Sequence, residues 1–440
     1  KIYDSLKFHN TMDTRSSLKF FLMVGLYLIL QHPISLKGQN VISLESLLSH
    51  SKEHTPVQGS FALIDKNQTE IDKVYHSTKY PQLNLIAQGT YQSDVITFPD
   101  NPALAFPEIP RAQYRTYLEA SHVLFNGGRS KNIYAIESTN NTITKLESEN
   151  ALSEIENVVE GLYFNGLLVQ KRKELLVLTI QNLEEQQKII ESRVKNGVLL
   201  PSASDAVAIK ILELEQQLNE AEYSRQKILF MLSDISGQPL NPSVLLVLPE
   251  APDLMSEEIS RYDLMVLDKK IEILENKKSL NQANKKPLVS AFAQGGLGNP
   301  NPFNFMEVES SFYYYAGIRL QWNIFNYGRV QANHSMAVSN QEMVKIQQQV
   351  TRDKIGREIQ SREIEIKQQE ALQELDDELV NRQNKMVRTR LSLLENGVGS
   401  VEDYLIALVE LNGLQIKKEL RLIKITQLKY EINRIKGNTN

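Results

Sequence analysis

The stretch Ile318-Arg319-Leu320-Gln321-Trp322-Asn323-Ile324-Phe325-Asn326-Tyr327-Gly328-Arg329 decides how the chain is read. Its first half alternates. On an extended backbone Ile318, Leu320, Trp322 and Ile324 point one way, and Gly317, Arg319, Gln321 and Asn323 the other. Its second half is a turn, and a helical pattern follows. From Val330 to about Leu394 there is no proline and one glycine, Gly356. Ile355, Ile359, Ile364, Ile366, Leu372, Leu375 and Leu379 recur there at helical spacing among strong helix formers. At about 1.5 Å per residue this helix is a rod of roughly 100 Å. A rod that long cannot sit inside one globular domain and needs partner helices along its length.

The same pattern occurs earlier. Phe125-Asn126-Gly127-Gly128-Arg129 matches Phe325-Asn326-Tyr327-Gly328-Arg329, and Asn196-Gly197-Val198 matches Asn396-Gly397-Val398, both offset by 200 positions. Upstream, Pro81-Gln82-Leu83-Asn84-Leu85 resembles Pro287-Leu288-Val289-Ser290-Ala291, offset by 206. Three landmarks in one order predict an internal duplication. The first repeat spans residues 40–236, with strands at about 83–92 and 113–125 and a long helix at about 130–195. A Pro-rich linker covers 237–253. The second repeat spans 254–436, with strands at about 289–294 and 310–325 and a long helix at about 330–394. Residues 437–440 are a tail.

Further helices are expected over Val41 to Thr78, with a break near Pro56-Val57-Gln58-Gly59, and over Ser202 to Ser236, Ser256 to Lys285 and Ser400 to Lys436. Each repeat therefore reads helix, strand, strand, long helix, short helix. In each, a leading and a returning helix of about 35 residues approximate one long helix if they stack end to end beside it. The two tips differ on this reading, the first being two residues longer through Leu199-Leu200-Pro201.

Residues 1–39 read as upstream sequence followed by a secretion signal. Arg15 and Lys19 precede the apolar run Phe20 to Leu30, and Lys1 to Thr11 lie upstream of a start at Met12. The run is too short to span a bilayer, which takes about 20 residues; a buried N-terminal helix is the alternative. The net charge of −4 argues against nucleic-acid binding. Cysteine is absent, which removes disulfides, thiolate metal sites and cysteine nucleophiles. The seven histidines are scattered, no metal or cofactor motif occurs, and no constellation marks an enzyme.

After the signal no apolar run is long enough for a membrane helix, so any membrane crossing must be by strands. The strands suit that role. Leu118 and Leu124, with Ile318, Leu320, Trp322 and Ile324, define an apolar, lipid-facing side. Tyr313, Tyr314, Tyr315 and Trp322 are of the kind found in interfacial girdles. An ordinary soluble sheet with one buried face has the same alternation. Four strands cannot close a barrel, and an open edge in lipid is forbidden. Several chains must then share one barrel; three would give twelve strands on a tube of twelve helical rods.

With these residues the chain resembles the TolC-type outer-membrane efflux family. The duplicated plan, Pro81 and Pro287, the junctions ending in Gly128-Arg129 and Gly328-Arg329, and the tip turns carry the resemblance. It implies a mainly α fold with membrane β-strands, in which a homotrimeric 12-strand β-barrel in outer-membrane lipid continues into a long α-helical barrel in the periplasm. It also implies docking to a periplasmic adaptor and an inner-membrane pump. The chain is then the exit duct of a tripartite efflux or type I secretion system of a Gram-negative-type cell. The alternative is a soluble periplasmic coiled-coil adaptor or scaffold.

The tips, Asn196, Gly197, Val198 and Asn396, Gly397, Val398, are expected at the periplasmic mouth. Ser202 and Asp205, like Ser400 and Asp403, have Ser-x-x-Asp spacing at a helix start, which caps free backbone N–H groups. The resemblance places Asp403 near the family's constriction, while Ile406 and Leu394 depart from its pattern, so the gating network is not carried over. Arg129 and Arg329 either line the barrel's periplasmic entrance or pair with nearby acids, and pairing is the expectation.

Overall fold

A computed structural model describes residues 41–97, 106–254, 258–304 and 306–437. The expected signal segment lies outside them. In chain order the elements are β1 (Val41–Ile42), α1 (Leu44–His54), α2 (Val57–Ser77), β2 (Gln82–Tyr91), β3 (Ala112–Phe125), α3 (Arg129–Lys195) and α4 (Pro201–Ser236). Then come β4 (Leu245–Leu246), α5 (Tyr262–Ala283), β5 (Leu288–Asn299), β6 (Ser311–Gln321), α6 (Arg329–Glu395) and α7 (Val401–Lys436). The fold is mainly helical.

Helix boundaries repeat at a constant distance. Arg129 and Arg329, Lys195 and Glu395, Pro201 and Val401, and Ser236 and Lys436 are each 200 positions apart. The two tips are therefore equal in length, which corrects the longer first tip read from the sequence. The cause is Pro201. Its fixed φ and missing N–H suit the first helical position, so it opens α4 instead of lengthening the turn.

Other boundaries moved for local reasons. The expected break in the first helix falls at Thr55-Pro56, and Val41–Ile42 is a strand because it pairs in parallel with Leu245–Leu246. The second leading helix starts only at Tyr262 and has 22 residues, shorter than expected. β5 runs on to Asn299 through glycines that looked like loop. β6 ends at Gln321, so Trp322 and Ile324 lie past the ladder instead of within it.

The helices form a wall. α3 packs between α2 and α4 on one side and α5 and α7 on the other; α6 packs on α5 and α7. Short helices stack as the length rule predicts. The Ser260 N–H donates to the Lys436 carbonyl at 2.8 Å, seating the end of α7 on the start of α5. Gly437, at φ +83°, has no room there for a side chain. Likewise Gly237 brings the end of α4 against His54 at the end of α1.

One core fills the girdle of this wall, with Leu44, Leu47, Val159, Tyr163, Phe164, Leu229 and Leu232 buried. Arg225 is buried beside it and donates to the carbonyls of Pro242 and Val244, which ties the inter-repeat connector to α4. A second core toward the tips joins Leu176, Leu183, Val207, Leu394, Tyr404 and Leu408.

Glu160 lies in the girdle, 3.1 Å from Arg434 across the α3–α7 contact. Burial pushes its carboxyl up to about 7, against the pull of Arg434, and neighbouring Glu431 and Glu156 push the same way. The folded state thus holds this proton more tightly than the unfolded chain does. Its contribution is full below about 4.5 and is lost as pH rises through about 7, with a slope of at most about 1.4 kcal/mol per pH unit. Melting curves at pH 5 and pH 8 should show this, and Glu160→Gln should flatten the difference. An unaltered pH profile in that variant would remove Glu160 from the account.

Candidate functional site

The four long strands form one antiparallel sheet in the order β2-β3-β5-β6. Its register fixes which residues share a face, since side chains alternate along each strand. Leu118 lies opposite Leu85 and Gly295, Ala120 opposite Leu83 and Ala293, and Ile318 opposite Ala291. One face therefore collects Leu83, Leu85, Leu118, Leu297, Phe312, Tyr314, Ile318 and Leu320, all exposed, with Ile318 72% and Leu320 64% open. Leu124 is exposed at the end of β3, beside the bulge between Val123 and Phe125. Trp322 and Ile324 are also exposed, and the Trp322 indole N–H donates to the Lys285 carbonyl at 2.9 Å. Nothing in the chain covers this apolar face among the described residues.

The opposite face is polar and internally bonded. Arg115 donates to Gln88 at 2.9 and 2.6 Å, and Gln294 donates to Glu119. Arg319 stands 4.8 Å over the Phe292 ring. The connection from β5 to β6 folds back over this face: Phe303 packs against Tyr313 and Tyr315, with ring centroids 5.6 and 5.0 Å apart. Asn301 shapes that connection, its amide donating to Glu307 and Ser311 and its oxygen accepting from the Phe303 N–H. Alternation placed Glu119 and Arg319 on the second face. Phe303, inside a Pro-rich segment, carried no signal. Gly296 faces Tyr117, and a Cβ there would overlap the β3 backbone, so the glycine is needed within the ladder.

The strands become helices at matched turns. Gly128 and Gly328 take φ of +92° and +77° as N-caps of α3 and α6. Arg129 and Arg329 open those helices, are exposed, and form no ion pair among the described residues, which corrects the pairing expected for them. No acid lies in either first turn to meet them.

At the far ends the rods turn in five residues each. Gly197 and Gly397 have φ of +71° and +77°, and the N–H groups of Val198 and Val398 close on the carbonyls of Arg193 and Leu393. Asn196 and Asn396 are the C-caps, and both valines project into solvent. Ser400 caps α7, accepting from the Asp403 N–H at 3.0 Å. Asp403 itself lies 3.6 Å from Arg390. Ser202 does not cap α4, a correction: Leu200 occupies the cap, and Pro201 shifts the serine inside the helix. Asp205 is exposed within the first turns of α4. Arg193 crosses between tips, donating to the Leu394 and Glu395 carbonyls at 3.2 and 3.4 Å, where the α6 dipole is negative.

The caps give a direct comparison. Ser400→Ala should cost about 1 kcal/mol, and Ser202→Ala only a few tenths, because only the first loses a cap bond. Denaturant melts of the two variants measure the difference.

A two-faced sheet thus continues into a wall of long paired helices. No protein-family model matches the chain, and no curated protein matches it in sequence. Among solved structures it resembles the outer membrane protein VceC of Vibrio cholerae, at 16% identity over 90% of this chain and 96% of that one, with a TM-score of 0.69. It is similar to the CmeC outer membrane channel of Campylobacter jejuni, at 16% identity, 92% and 90% coverage and a TM-score of 0.66. The open state of the MtrE outer membrane channel of Neisseria gonorrhoeae matches at 14% identity, 90% and 89% coverage and a TM-score of 0.63. The chain thus has the fold of TolC-type outer-membrane channels.

Proposed function

We propose that this chain is one third of an outer-membrane exit duct, passing small molecules or polypeptides outward from the periplasm in a tripartite efflux or type I secretion system. Three chains close a 12-strand barrel, their helices form the periplasmic tube, and the tips around Gly197, Gly397, Asp205 and Asp403 form its mouth. There a periplasmic adaptor and an inner-membrane pump dock. The apolar sheet face meets lipid, and the polar face lines the bore.

One observation carries this reading. Contacts made between the two halves of one chain have bare counterparts 200 positions away. Phe164 of α3 is buried against Tyr430 of α7, with ring centroids 5.4 Å apart. Their counterparts are Ile364, 60% open on α6, and Phe230, 71% open on α4. These lie on opposite edges of the helical wall, as β2 and β6 are the opposite edges of the sheet. Ile136 and Ile143 are buried against α5, while Met336 and Met343 are bare. A second copy supplies what each edge lacks. A soluble adaptor has no such use for a bare apolar sheet face, so that alternative is not favoured.

The duplication also predicts the register between chains. Leu118 faces Gly295 within the chain. Adding 200 to the first and subtracting 206 from the second puts Ile318 opposite Gly89 of the next copy. The chain has no cysteine, so Ile318→Cys with Gly89→Cys should yield a disulfide-linked trimer in envelopes, while Ile318→Cys with Leu85→Cys should not. No cross-link, with a monomer recovered in the soluble periplasmic fraction, would defeat the duct.

A further inference from the structure

We propose that the junction between sheet and helices is a binding collar for anionic phospholipid headgroups. The inference rests on the channel reading above, which puts the apolar sheet face in a bilayer.

Four segments meet at this level: residues 73–81, 124–136, 276–288 and 321–341. Together they hold nine Lys or Arg residues and no Asp or Glu, in a chain whose net charge is −4. Lys73 and Lys278 pair with Glu70 and Glu275 on the helix side of the band. Nearest the strands, Lys79, Arg129, Lys131, Lys285, Lys286 and Arg329 are exposed, and none forms an ion pair among the described residues.

Placement makes this more than a solvated face. Arg129 and Lys131 stand in the first turn of α3, and Arg329 in that of α6. A helix N-terminus is the positive end of its dipole and favours acids. Cations are unfavourable there unless an anion joins them. Among the described residues none supplies that anion. The band adjoins the exposed apolar face at Leu83, Leu85 and Leu320, and its own exposed aromatics are Tyr80, Phe125, Trp322, Phe325 and Tyr327. Cations and aromatic rings at the end of an apolar span are the groups that anchor at headgroup level. The opposite rim has the other sign, with Asp94, Glu108, Glu307 and Glu309 against Arg111. The collar therefore marks one leaflet, the one bounding the helical side. Its ligand is the phosphate of a glycerophospholipid carrying net negative charge.

The test uses the detergent-extracted trimer, its mass established before lipid is added. Native mass spectrometry with equimolar phosphatidylglycerol and phosphatidylcholine should show phosphatidylglycerol retained about tenfold in excess, by charge attraction at each collar. The preference should disappear in Lys79→Gln/Lys131→Gln/Arg329→Gln and persist in Lys188→Gln/Lys354→Gln, whose charges lie along the rods. It should also collapse in wild type at about 0.5 M salt, where screening acts within a few ångströms. Inorganic phosphate alone should not raise the melting temperature as phosphatidylglycerol does. Equal retention of both lipids by wild type overturns the collar, as does a preference surviving in the triple variant or a melting shift reproduced by free phosphate. In those cases an intact trimer leaves the channel reading standing. A soluble monomer at the first step overturns both.

Discussion

Leu118→Arg should abolish recovery of the proposed trimer from membranes and leave the helical rods folded. Leu118 is exposed at the middle of the apolar face, on β3 opposite Leu85 and Gly295. In water a charge there costs nothing, since the position already faces solvent in the isolated chain. In a bilayer an arginine near mid-depth costs about 2–4 kcal/mol on the lipid side of a barrel, so three copies raise the cost to roughly 6–12 kcal/mol per trimer. Arg319→Leu, on the polar face, should instead assemble and change only the proposed bore. Fractionation of envelopes followed by size measurement in detergent reads both variants. Normal trimer yield from Leu118→Arg would count against the barrel itself.

The second large effect lies in the helices. Asp376 is buried and Arg421 partly buried between α6 and α7, with Nε–Oδ2 at 2.5 Å and Nη2–Oδ1 at 3.1 Å. Gln369 accepts a further bond from the guanidinium at 2.9 Å. Removing one partner strands a buried charge, so Arg421→Ala should cost about 3–5 kcal/mol. The chain contains its own control. At the matching positions of the first half stand Leu176 and Ala221, both in the apolar core. The double variant Asp376→Leu/Arg421→Ala rebuilds that arrangement and should recover most of the loss. Thermal melts of the single and double variants decide this; a double variant as unstable as the single one would mean that the pair's surroundings, not its charges, set the cost.

Much of this architecture was legible because its signals are long. Helices of 67 residues announce themselves by the absence of proline and by apolar spacing, and the repeated Phe-Asn-x-Gly-Arg and Asn-Gly-Val landmarks fix their ends to within a residue. What failed depended on a neighbour distant in sequence. The glycines of β5 read as a loop because the backbone of β3, which makes Gly296 necessary, is not visible from their own surroundings. Pro201 looked like part of a turn because proline suits both a turn and a first helical turn. Ser202 and Ser400 share a motif but not a register, and only the one standing at the boundary caps. Arg129 and Arg329 were expected to pair because exposed arginines usually find acids; the sequence showed none in the first turns but could not show which side chains gather around them. The strand pattern put Leu118, Ile318 and Leu320 on one face by alternation alone, whereas Leu124 falls in the bulge where alternation breaks, and the end of the ladder before Trp322 depended on β5 beginning at Leu288, the partner of Gln321.

The constant displacement of 200 positions also restricts how the chain can change length. Tips stay level, and short helices keep meeting end to end, only while both long rods hold the same number of residues. Deleting one residue from α3 alone rotates everything beyond it by about 100° about the helix axis and strands its apolar seam on the wrong side. A shorter helical wall is reachable by removing whole heptads from all four helices that meet at the tips, about 10 Å at a time. If the chain forms the proposed duct, its reach across the space between two membranes is therefore a stepped quantity, altered in both halves together or not at all.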